Sequence, residues 1–359
     1  MTHDWLLVET LGTEPAVVAH GHSTKNLVPI SAFLRRNPNL MAIQTAIGET
    51  VRGGQPLSSI TPKHDRVIRT EVVRMTDNRI HGVHVWVGPP DLDPPERPIP
   101  GPLKWDLTNG IATDTPESLR NSGGDPSAQG TVGRAFAEDL PTRSINPIEE
   151  QVLSEAIKPA PGRSFCSSWD VVDYRGESIA VGFVVRVLEE VDESVGRELL
   201  ICRGMNWPSE HDEFTMNAAD LGQPALGEPT PGVYRAVVDL STWRLLKWLD
   251  EPCPFYDWHP QEGGESFTHP GDGPAIERMA RDFENGVPAS QVLRLRAVGG
   301  GWTPVNVTAQ VVELERGAHA GLLSMRLPTD EELAAVPEEV AAKLSLSGKL
   351  RARKAKSRA

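Results

Sequence analysis

The alternation of apolar and polar positions in residues 1–96 predicts short strands around one helix. The apolar runs Trp5–Leu11 and Ala16–Ala19 flank a stretch that contains Gly and Pro, as in a β-hairpin. After Asn37 and Pro38, which favour an N-cap and a first helical turn, apolar residues recur at helical spacing until the pair Gly53-Gly54, which should end the helix. We therefore expect this helix to pack on the strands through the stripe Leu40, Ile43, Ile47 and Val51.

Two longer strands are predicted after this helix, over Arg66–Met75 and Gly82–Val87. Successive side chains of a strand point to opposite faces of its sheet. In the second strand, His84 and Trp86 therefore share the face opposite to that of the three valines. His81 lies three residues before His84, a spacing that puts the two imidazoles on opposite faces unless a bulge intervenes.

The middle of the chain repeats this mixture of a helix and several strands. A capping-box pattern from Asn146 to Glu149 predicts a helix at the residues that follow. Strands are predicted over Ser164–Val172, Ile179–Val187 and Leu199–Arg203. The second of these is apolar on both faces, so we expect a central, buried strand.

Residues 232–328 show the pattern most plainly. A strand is predicted over Val233–Leu240, and Asp272 is expected to cap a helix that ends at Gly286. Three alternating segments follow, at 293–297, 305–311 and 322–327, as in an antiparallel meander. The chain is therefore predicted to have an α+β fold of three modules, each an antiparallel sheet with helices packed on it.

Proline-rich segments indicate where the modules end. Residues 89–103 contain seven prolines, so they can neither continue a helix nor pair as a central strand. A second joint is predicted at Gln223–Gly232. The predicted domains are consequently 1–96, 104–222 and 232–328, followed by a helical segment and a basic disordered tail at 329–359.

Composition and charge narrow the class of protein. A net charge of −13 argues against general nucleic-acid binding by the folded body. Residues 349–359 reverse the sign locally with six Lys and Arg; removing these six charges leaves −19 on residues 1–348. No apolar stretch is long enough to span a bilayer, and three cysteines are too few for a disulfide framework. We expect a cytoplasmic protein with reduced, buried thiols, whose tail is solvated or contacts an acidic partner or an anionic surface.

The last predicted module resembles the second half of a PAS domain. The residues that carry this resemblance are His269, Pro270, Asp272, Leu293–Leu295 and Trp302. Gly299–Gly301 stands where such domains usually have Asp-Gly, which leaves the topology unchanged.

The openings DWLLVETLG, from Asp4, and PLKWDLTNGIATDTPESL, from Pro102, extend the likeness to residues 1–328. Over this range the chain resembles the mycobacterial triple sensor-domain proteins of PAS–GAF–PAS architecture. That resemblance implies a PAS-like N-terminal domain, a GAF-like middle domain and a PAS-like C-terminal domain. It also implies sensing or signal integration without an attached output enzyme.

No catalytic constellation is found, and neither a P-loop nor an HExxH or GxSxG motif is present. His20 and His22 could share a strand face, but no third ligand accompanies them, so we expect no metal site. Haem binding through His259 or His269 and flavin chemistry through Cys202 have no supporting motif. The cofactor is therefore unknown and none is predicted.

Candidate ligand-binding residues are taken from the aromatic and imidazole side chains, which commonly line ligand pockets. They are His84, Trp86, Trp169, Trp258, His269 and Trp302. For the tryptophans the alternative is packing in a core, and for His269 a role in helix entry. Trp258 belongs to the aromatic cluster EPCPFYDWHP, which is expected to pack a domain interface or to form the lid of a pocket.

These features favour a cytoplasmic, non-enzymatic sensor or scaffold. It would bind a small molecule or an unidentified signalling protein and give its output through a partner, since no effector domain is recognised. Two alternatives stay open: a structural adaptor with collapsed pockets, and an enzyme that uses a cavity in one module.

Overall fold

The structure is a computed structural model that describes residues 4–61, 63, 65–140, 145, 147–192, 196–211, 229–259, 267–284 and 287–335. Three antiparallel sheets with a few helices account for the described residues, which confirms the predicted α+β class with three modules. These residues form two compact units. The first contains those within 1–134 and 159–217, and the second those within 135–158 and 218–359.

The N-terminal sheet has six strands. Their bounds are Leu6–Glu9 (β1), Ala16–His20 (β2), Ser23–Pro29 (β3), Leu57–Ile60 (β4), Val67–Arg74 (β5) and Ile80–Gly88 (β6). In space they follow the order β3-β2-β1-β6-β5-β4. Two helices, Ile30–Phe33 (α1) and Leu40–Gly53 (α2), belong to the same module, and Ile43 and Ile47 of α2 are buried against Val83 and Val85 of β6.

The start of α2 differs from the prediction, whereas its end agrees. The side-chain oxygen of Asn37 accepts a hydrogen bond from the backbone N–H of Asn39 at 2.9 Å. This bond closes a turn before the helix, so α2 begins at Leu40. Gly54 then ends it with a φ of 62°, a left-handed conformation that glycine adopts without strain.

The middle sheet also has six strands. Their bounds are Gly101–Asp106 (β7), Ile111–Thr113 (β8), Val132–Ala135 (β9), Ser164–Val172 (β10), Ser178–Asp192 (β11) and Arg197–Pro208 (β12). In space they follow the order β10-β11-β12-β7-β8-β9. The helix Pro116–Asn121 (α3) is capped by the hydroxyl of Thr115.

The C-terminal sheet has five strands. Their bounds are Tyr234–Asp239 (β13), Arg244–Trp248 (β14), Ala289–Arg296 (β15), Trp302–Leu314 (β16) and Ala318–Arg326 (β17). In space they follow the order β14-β13-β17-β16-β15. Three helices belong to this unit: Pro147–Ile157 (α4), Gly273–Glu284 (α5) and Asp330–Ala334 (α6).

All three sheets contain one common arrangement of five strands. The first strand of each module (β1, β7 or β13) has the module's second strand on one side and its last strand (β6, β12 or β17) on the other. The next-to-last strand in sequence then lies beside the last strand. The N-terminal and middle sheets add the module's third strand beyond the second. The modules are therefore related in topology, as their similar predicted sizes suggest.

The N-terminal and middle sheets pack face to face. Leu7 and Val18 of the first sheet are buried in one cluster with Met205 and Trp207 of the second. Gly82 on β6 allows this approach, because a Cβ built on it would lie 2.8 Å from the Met205 methyl carbon and 2.7 Å from the Val8 carbonyl oxygen. The first unit thus has an apolar core between its two sheets, in addition to the core under α2.

The proline-rich segment between these sheets is extended, as predicted, but it is packed against the protein. Pro98 and Pro100 are buried, and the indole N–H of Trp5 donates a hydrogen bond to the Pro95 carbonyl at 2.9 Å. The guanidinium of Arg97 lies over the Trp5 ring. The segment ends at Gly101, where β7 begins inside the range predicted as a joint.

Helix α4 lies within the range predicted as the middle domain, yet it belongs to the second compact unit. It contacts β16 and β17 of the C-terminal sheet and buries Val152 and Leu153. Helix α5 belongs to the other core of that module, where Met279 packs with Leu293 and Val305. Most of the predicted joint at 223–232 and the predicted tail at 349–359 lie outside the described residues.

Substitution of Gly82 tests the contact between the two sheets. We expect Gly82→Ala to lower the free energy of unfolding by about 1–3 kcal/mol, because the added methyl group overlaps Met205 and the Val8 carbonyl. Gly48→Ala is the matched control: its Cβ meets no atom within 4 Å, and alanine favours the helix. Urea unfolding of both variants measures the difference, and equal stabilities would contradict the packing.

Candidate functional site

His84 and Trp86 lie on the face of the N-terminal sheet that points away from α2, as predicted. His84 is buried; its Nδ1 atom lies 3.1 Å from Nη1 of Arg97, and its ring centroid lies 5.8 Å from that of Trp5. Trp86 is buried as well, with the guanidinium of Arg69 over its ring. The two residues are thus packed beneath charged side chains rather than open to a ligand.

His81 comes to the same side of the sheet as His84 through a bulge. The register of β5 and β6 shifts between Val73 and Arg74, opposite the residues next to His81. As a result, Nδ1 of His81 lies 2.7 Å from the carbonyl oxygen of Gly204 in the middle sheet. The bulge that the i,i+3 spacing requires is therefore present.

A group of charged residues, some of them partly exposed, surrounds the buried His81 where the two sheets meet. This inter-sheet polar cluster consists of Asp77, Arg79, His81, Glu190 and Arg203. Arg203 is its centre: it donates to Glu190 at 2.6 Å and lies 2.7 Å from the Asp77 carboxylate. Its Nη1 atom also lies 3.3 Å from Nε2 of His81. Arg203 donates to Glu190 a second time at 2.8 Å, and Arg79 adds a third hydrogen bond to this carboxylate at 2.7 Å.

The partners of His81 assign its proton. Gly204 offers only a carbonyl, so Nδ1 carries the hydrogen, and Arg203 offers only donors, so Nε2 accepts. Burial, and to a smaller extent the charge of Arg203, lowers the pKa of His81 to about 4. Burial also lowers the pKa of His84, to about 3. Burial alone would raise the pKa of Asp77 and of Glu190, but the hydrogen bonds from Arg203 outweigh it, and both are lowered.

The cluster fixes the contact between two sheets and has no room for a ligand. The space beside it, which is lined by Glu9, His81, Arg186 and Arg203, is too small for a water molecule. Glu9 of β1 and Arg186 of β11 form a further ion pair there, at 2.8 Å. These polar groups therefore bind each other across the sheets.

Trp169 lies apart from the other candidates, on the edge strand β10. It is buried against Phe183 of β11, with ring centroids 4.3 Å apart. This contact is cross-strand aromatic packing, the alternative considered for each tryptophan.

Trp258 lies in the core of the C-terminal module. Its ring centroid is 5.9 Å from that of Trp248 and 4.3 Å from that of His259, and both tryptophans belong to the cluster that includes Tyr256 and Met279. The segment that contains EPCPFYDWHP, as far as it is described, fills the space between the sheet and α5 rather than covering an open pocket.

His269 and Trp302 are brought together at the edge of this module. Their ring centroids are 5.1 Å apart, and Nδ1 of His269 accepts a hydrogen bond from the Gly271 N–H. That bond is the helix-entry role considered for His269. The following residue, Asp272, accepts hydrogen bonds from the backbone N–H and from Nε of Arg294, at 2.6 and 2.9 Å.

A groove lies next to these residues on the surface of the C-terminal module. This C-terminal groove, of about 550 Å³, is bordered by the start of α5, by β15, by Asn306 of β16 and by the end of α6. Its lining residues are Gly271, Asp272, Pro274, Ala275, Arg278, Ser290, Gln291, Val292, Asn306, Glu332 and Ala335. None of the six candidate residues lines it, because no motif identifies a surface assembled from a helix, a strand edge and a terminal turn.

The opposite face of the C-terminal sheet holds a buried ion pair. Nζ of Lys247 on β14 donates to Glu149 of α4 at 2.7 Å, and both side chains are 1% exposed. Burial lowers the pKa of Lys247, although the Glu149 carboxylate opposes this shift. Neither residue was a candidate, yet a lysine inside the apolar strand RLLKW is a signal that could have identified it.

Potential metal and thiol chemistry is limited in the described part of the chain. No three His, Cys, Asp or Glu side chains there are grouped so as to hold a metal ion. None of the three cysteines forms a disulfide, and all are buried; burial raises the pKa of Cys166 to about 12 and that of Cys253 to about 11. At neutral pH these two thiols stay protonated, so they are poor nucleophiles.

The fold and its buried contacts define a protein of three related α+β modules. The comparison with known families agrees, with an N-terminal domain model matching residues 4–96, a middle one 99–209 and a C-terminal one 220–336. The chain belongs to the Rv3651-like family. Its predicted relation to mycobacterial three-domain proteins is confirmed, while the PAS and GAF labels of single modules stay predictions.

The chain is also similar to solved structures. A crystal structure of an uncharacterized protein from Mycobacterium tuberculosis is 56% identical, with a TM-score of 0.84 over 93% of this chain and 98% of that chain. An RNA-binding Light-Oxygen-Voltage receptor is 12% identical, with a TM-score of 0.22 over 70% of this chain and 100% of that chain. The periplasmic sensory domain of the Campylobacter jejuni chemoreceptor Tlp1 is 9% identical, with a TM-score of 0.19 over 52% and 57% of the two chains.

The two lower TM-scores are too small to indicate a shared overall fold, and they carry no argument about function. No protein of curated function matches the chain. No helix in the described ranges has the length and apolar character that crossing a membrane requires.

The neutral state of His81 predicts a loss of stability in acid. Below pH 6.5 an unfolded chain binds a proton at this residue, whereas the folded protein does not until about pH 4. Stability should therefore fall as the pH decreases through this window, by up to about 3 kcal/mol for His81. Urea unfolding between about pH 4.5 and 7 should show that the free energy of unfolding falls less steeply with decreasing pH in His81→Gln than in the parent chain. Equal slopes in the two proteins would contradict a buried, neutral His81.

Removing one member of the buried Glu149–Lys247 pair should be costly. We expect Glu149→Ala to lower the free energy of unfolding by about 3–5 kcal/mol, because it leaves the Lys247 ammonium without its carboxylate. The double variant Glu149→Leu/Lys247→Met should recover most of this loss. As a control, Glu177→Gln removes an ion pair with Arg175 that is more than half exposed, and should cost less than about 1 kcal/mol. Urea titrations of the four proteins provide the measurement.

Proposed function

We propose that the chain is a non-enzymatic signal-integration protein of the cytoplasm. It binds a small molecule or a protein partner through its modules and gives its output through a partner. The membership of a three-domain family and the repeated module topology support this proposal. A bound molecule changes such a protein only if it has different affinities for two arrangements of the modules.

The observation that carries the proposal is the C-terminal groove. Its walls are fixed by two ion pairs, Asp272 with Arg294 and Glu332 with Arg326. Hydrogen bonds from Arg326 and from the Thr329 N–H hold the pKa of Glu332 at about 2, so the second pair stays ionised at neutral pH. A preformed groove with ordered walls binds a ligand at a smaller entropic cost than a surface that must first order.

The adaptor remains a second candidate, and a specific observation favours it. Trp248, Trp258 and Met279 fill the core between the C-terminal sheet and α5. Recognition inside that module would have to displace these side chains, whereas recognition at its surface would not. An adaptor would use only such surfaces.

The proposal is tested by native mass spectrometry and the ultraviolet–visible spectrum of the purified full-length protein. We expect a bound small molecule or peptide, detected as added mass, that Ser290→Trp removes, because residue 290 lines the groove. Val298→Trp, at an exposed hairpin position, is the matched control and should retain the mass. Empty protein that co-purifies with partner proteins would favour the adaptor instead. Turnover of a metabolite that one substitution abolishes would contradict both readings.

A further inference from the structure

The hydrogen-bonding pattern of β15 shows which of its backbone groups face outward. β15 is the edge strand of the C-terminal sheet: β16 is the strand beside it, and an isolated bridge joins Leu295 to Thr268 on the outer side. In an antiparallel pair, alternate residues of an edge strand direct their N–H and C=O groups away from the neighbour. Arg294 is one of these, because its N–H donates to Asp272 and its carbonyl accepts from the His269 N–H.

The outward groups at one end of this edge are already bonded. The N–H of Arg296 donates to the Phe267 carbonyl, and its own carbonyl accepts from the Asp257 N–H. Because the same is true of Arg294, the outward backbone groups in the C-terminal half of β15 already have partners within the protein. The register of β15 and β16 continues without a shift, so Val292 and Ser290 are the next residues with outward groups.

The backbone groups of Ser290 and Val292 have no such cover. No described residue bonds their outward N–H and C=O groups, and both residues line the C-terminal groove. The groove therefore contains two open donor–acceptor pairs of a sheet edge, in a space of about 550 Å³. An extended peptide is the ligand that bonds such a row of groups, by adding a strand.

The charges of the groove indicate what that peptide carries. Asp272 and Glu332 are neutralised by Arg294 and Arg326. Arg278 is exposed on α5, and its guanidinium has no ion pair or hydrogen bond with a described residue. Among the described lining residues, Arg278 therefore supplies an uncompensated positive charge that is complementary to a carboxylate.

We propose that the C-terminal groove binds an extended segment of a partner protein. The segment adds as a strand to β15 at Ser290 and Val292 and places an acidic side chain or a terminal carboxylate near Arg278. The half-buried amide of Gln291 also lines the groove and is available to the segment. This inference rests on the proposed output through a partner, and it assigns the surface that the partner contacts.

The test selects a displayed library of random nonapeptides on the full-length protein. We expect acidic peptides to be enriched and to bind the parent chain saturably in fluorescence polarisation. Val292→Pro removes one outward N–H without touching the ladder with β16, and should weaken binding about tenfold or more. Val292→Ala keeps that N–H and should bind within about threefold of the parent. Arg278→Gln should also weaken binding about tenfold, whereas Arg281→Gln, which changes the same charge outside the groove, should not.

Several results would overturn the inference. They are failure of the selection to enrich any peptide, equal peptide affinity of Val292→Pro and Val292→Ala, and an equal loss of peptide affinity in Arg278→Gln and Arg281→Gln. If deletion of residues 336–359 raises the affinity for the selected peptides about tenfold, the groove is occupied by this chain's own end. If the protein self-associates and Val292→Pro abolishes the self-association, the groove is occupied by a second copy. Circular dichroism checks that each variant is folded. If the full chain carries a bound small molecule but selects no peptide, the docking inference fails while the proposed function stands.

Discussion

The first unit depends on the requirement that a buried guanidinium be paired. Arg203 is almost fully buried between the N-terminal and middle sheets, where an unpaired charge costs several kcal/mol. Its acceptors come from both sides: Asp77 and His81 from the N-terminal module, and Glu190 from its own sheet. Apolar surfaces alone would tolerate a shifted contact, whereas these directional bonds are satisfied in one arrangement. The cluster therefore supplies specificity to an interface whose stability comes from apolar burial.

The sequence predicts elements well where one periodicity dominates. Strand β10 and the end of α2 occur where the alternation and the Gly pair place them. Strand β14 could not be found, because it follows a tight turn at Trp243, whose φ of 57° is a conformation for which sequence rules expect Gly or Asn. The partner of α4 was missed for another reason: a capping box fixes where a helix begins but says nothing about the sheet that receives its apolar face.

The candidate residues show a similar division. Aromatic and imidazole residues were the ligand-binding candidates, but most of them are packed in cores or against neighbouring charges, as Trp169 is against Phe183. The groove escaped prediction because its lining comes from distant segments, and because an open strand edge is a property of backbone pairing rather than of residue type. Charged residues inside apolar strands, such as Arg203 and Lys247, were the unused signal, since a charge there requires a partner from elsewhere in the chain.

The position of α4 has a consequence for synthesis on the ribosome. Glu149 is made 98 residues before Lys247, its partner in the finished protein. During that interval the strands β10, β11 and β12, which complete the middle sheet, emerge and can fold, while the sheet that receives α4 does not yet exist. The apolar side of α4 therefore stays uncovered until β14, β16 and β17 have been translated. The order of translation thus makes α4 a late-docking element, whose apolar side is accessible to chaperones or to wrong partners during synthesis.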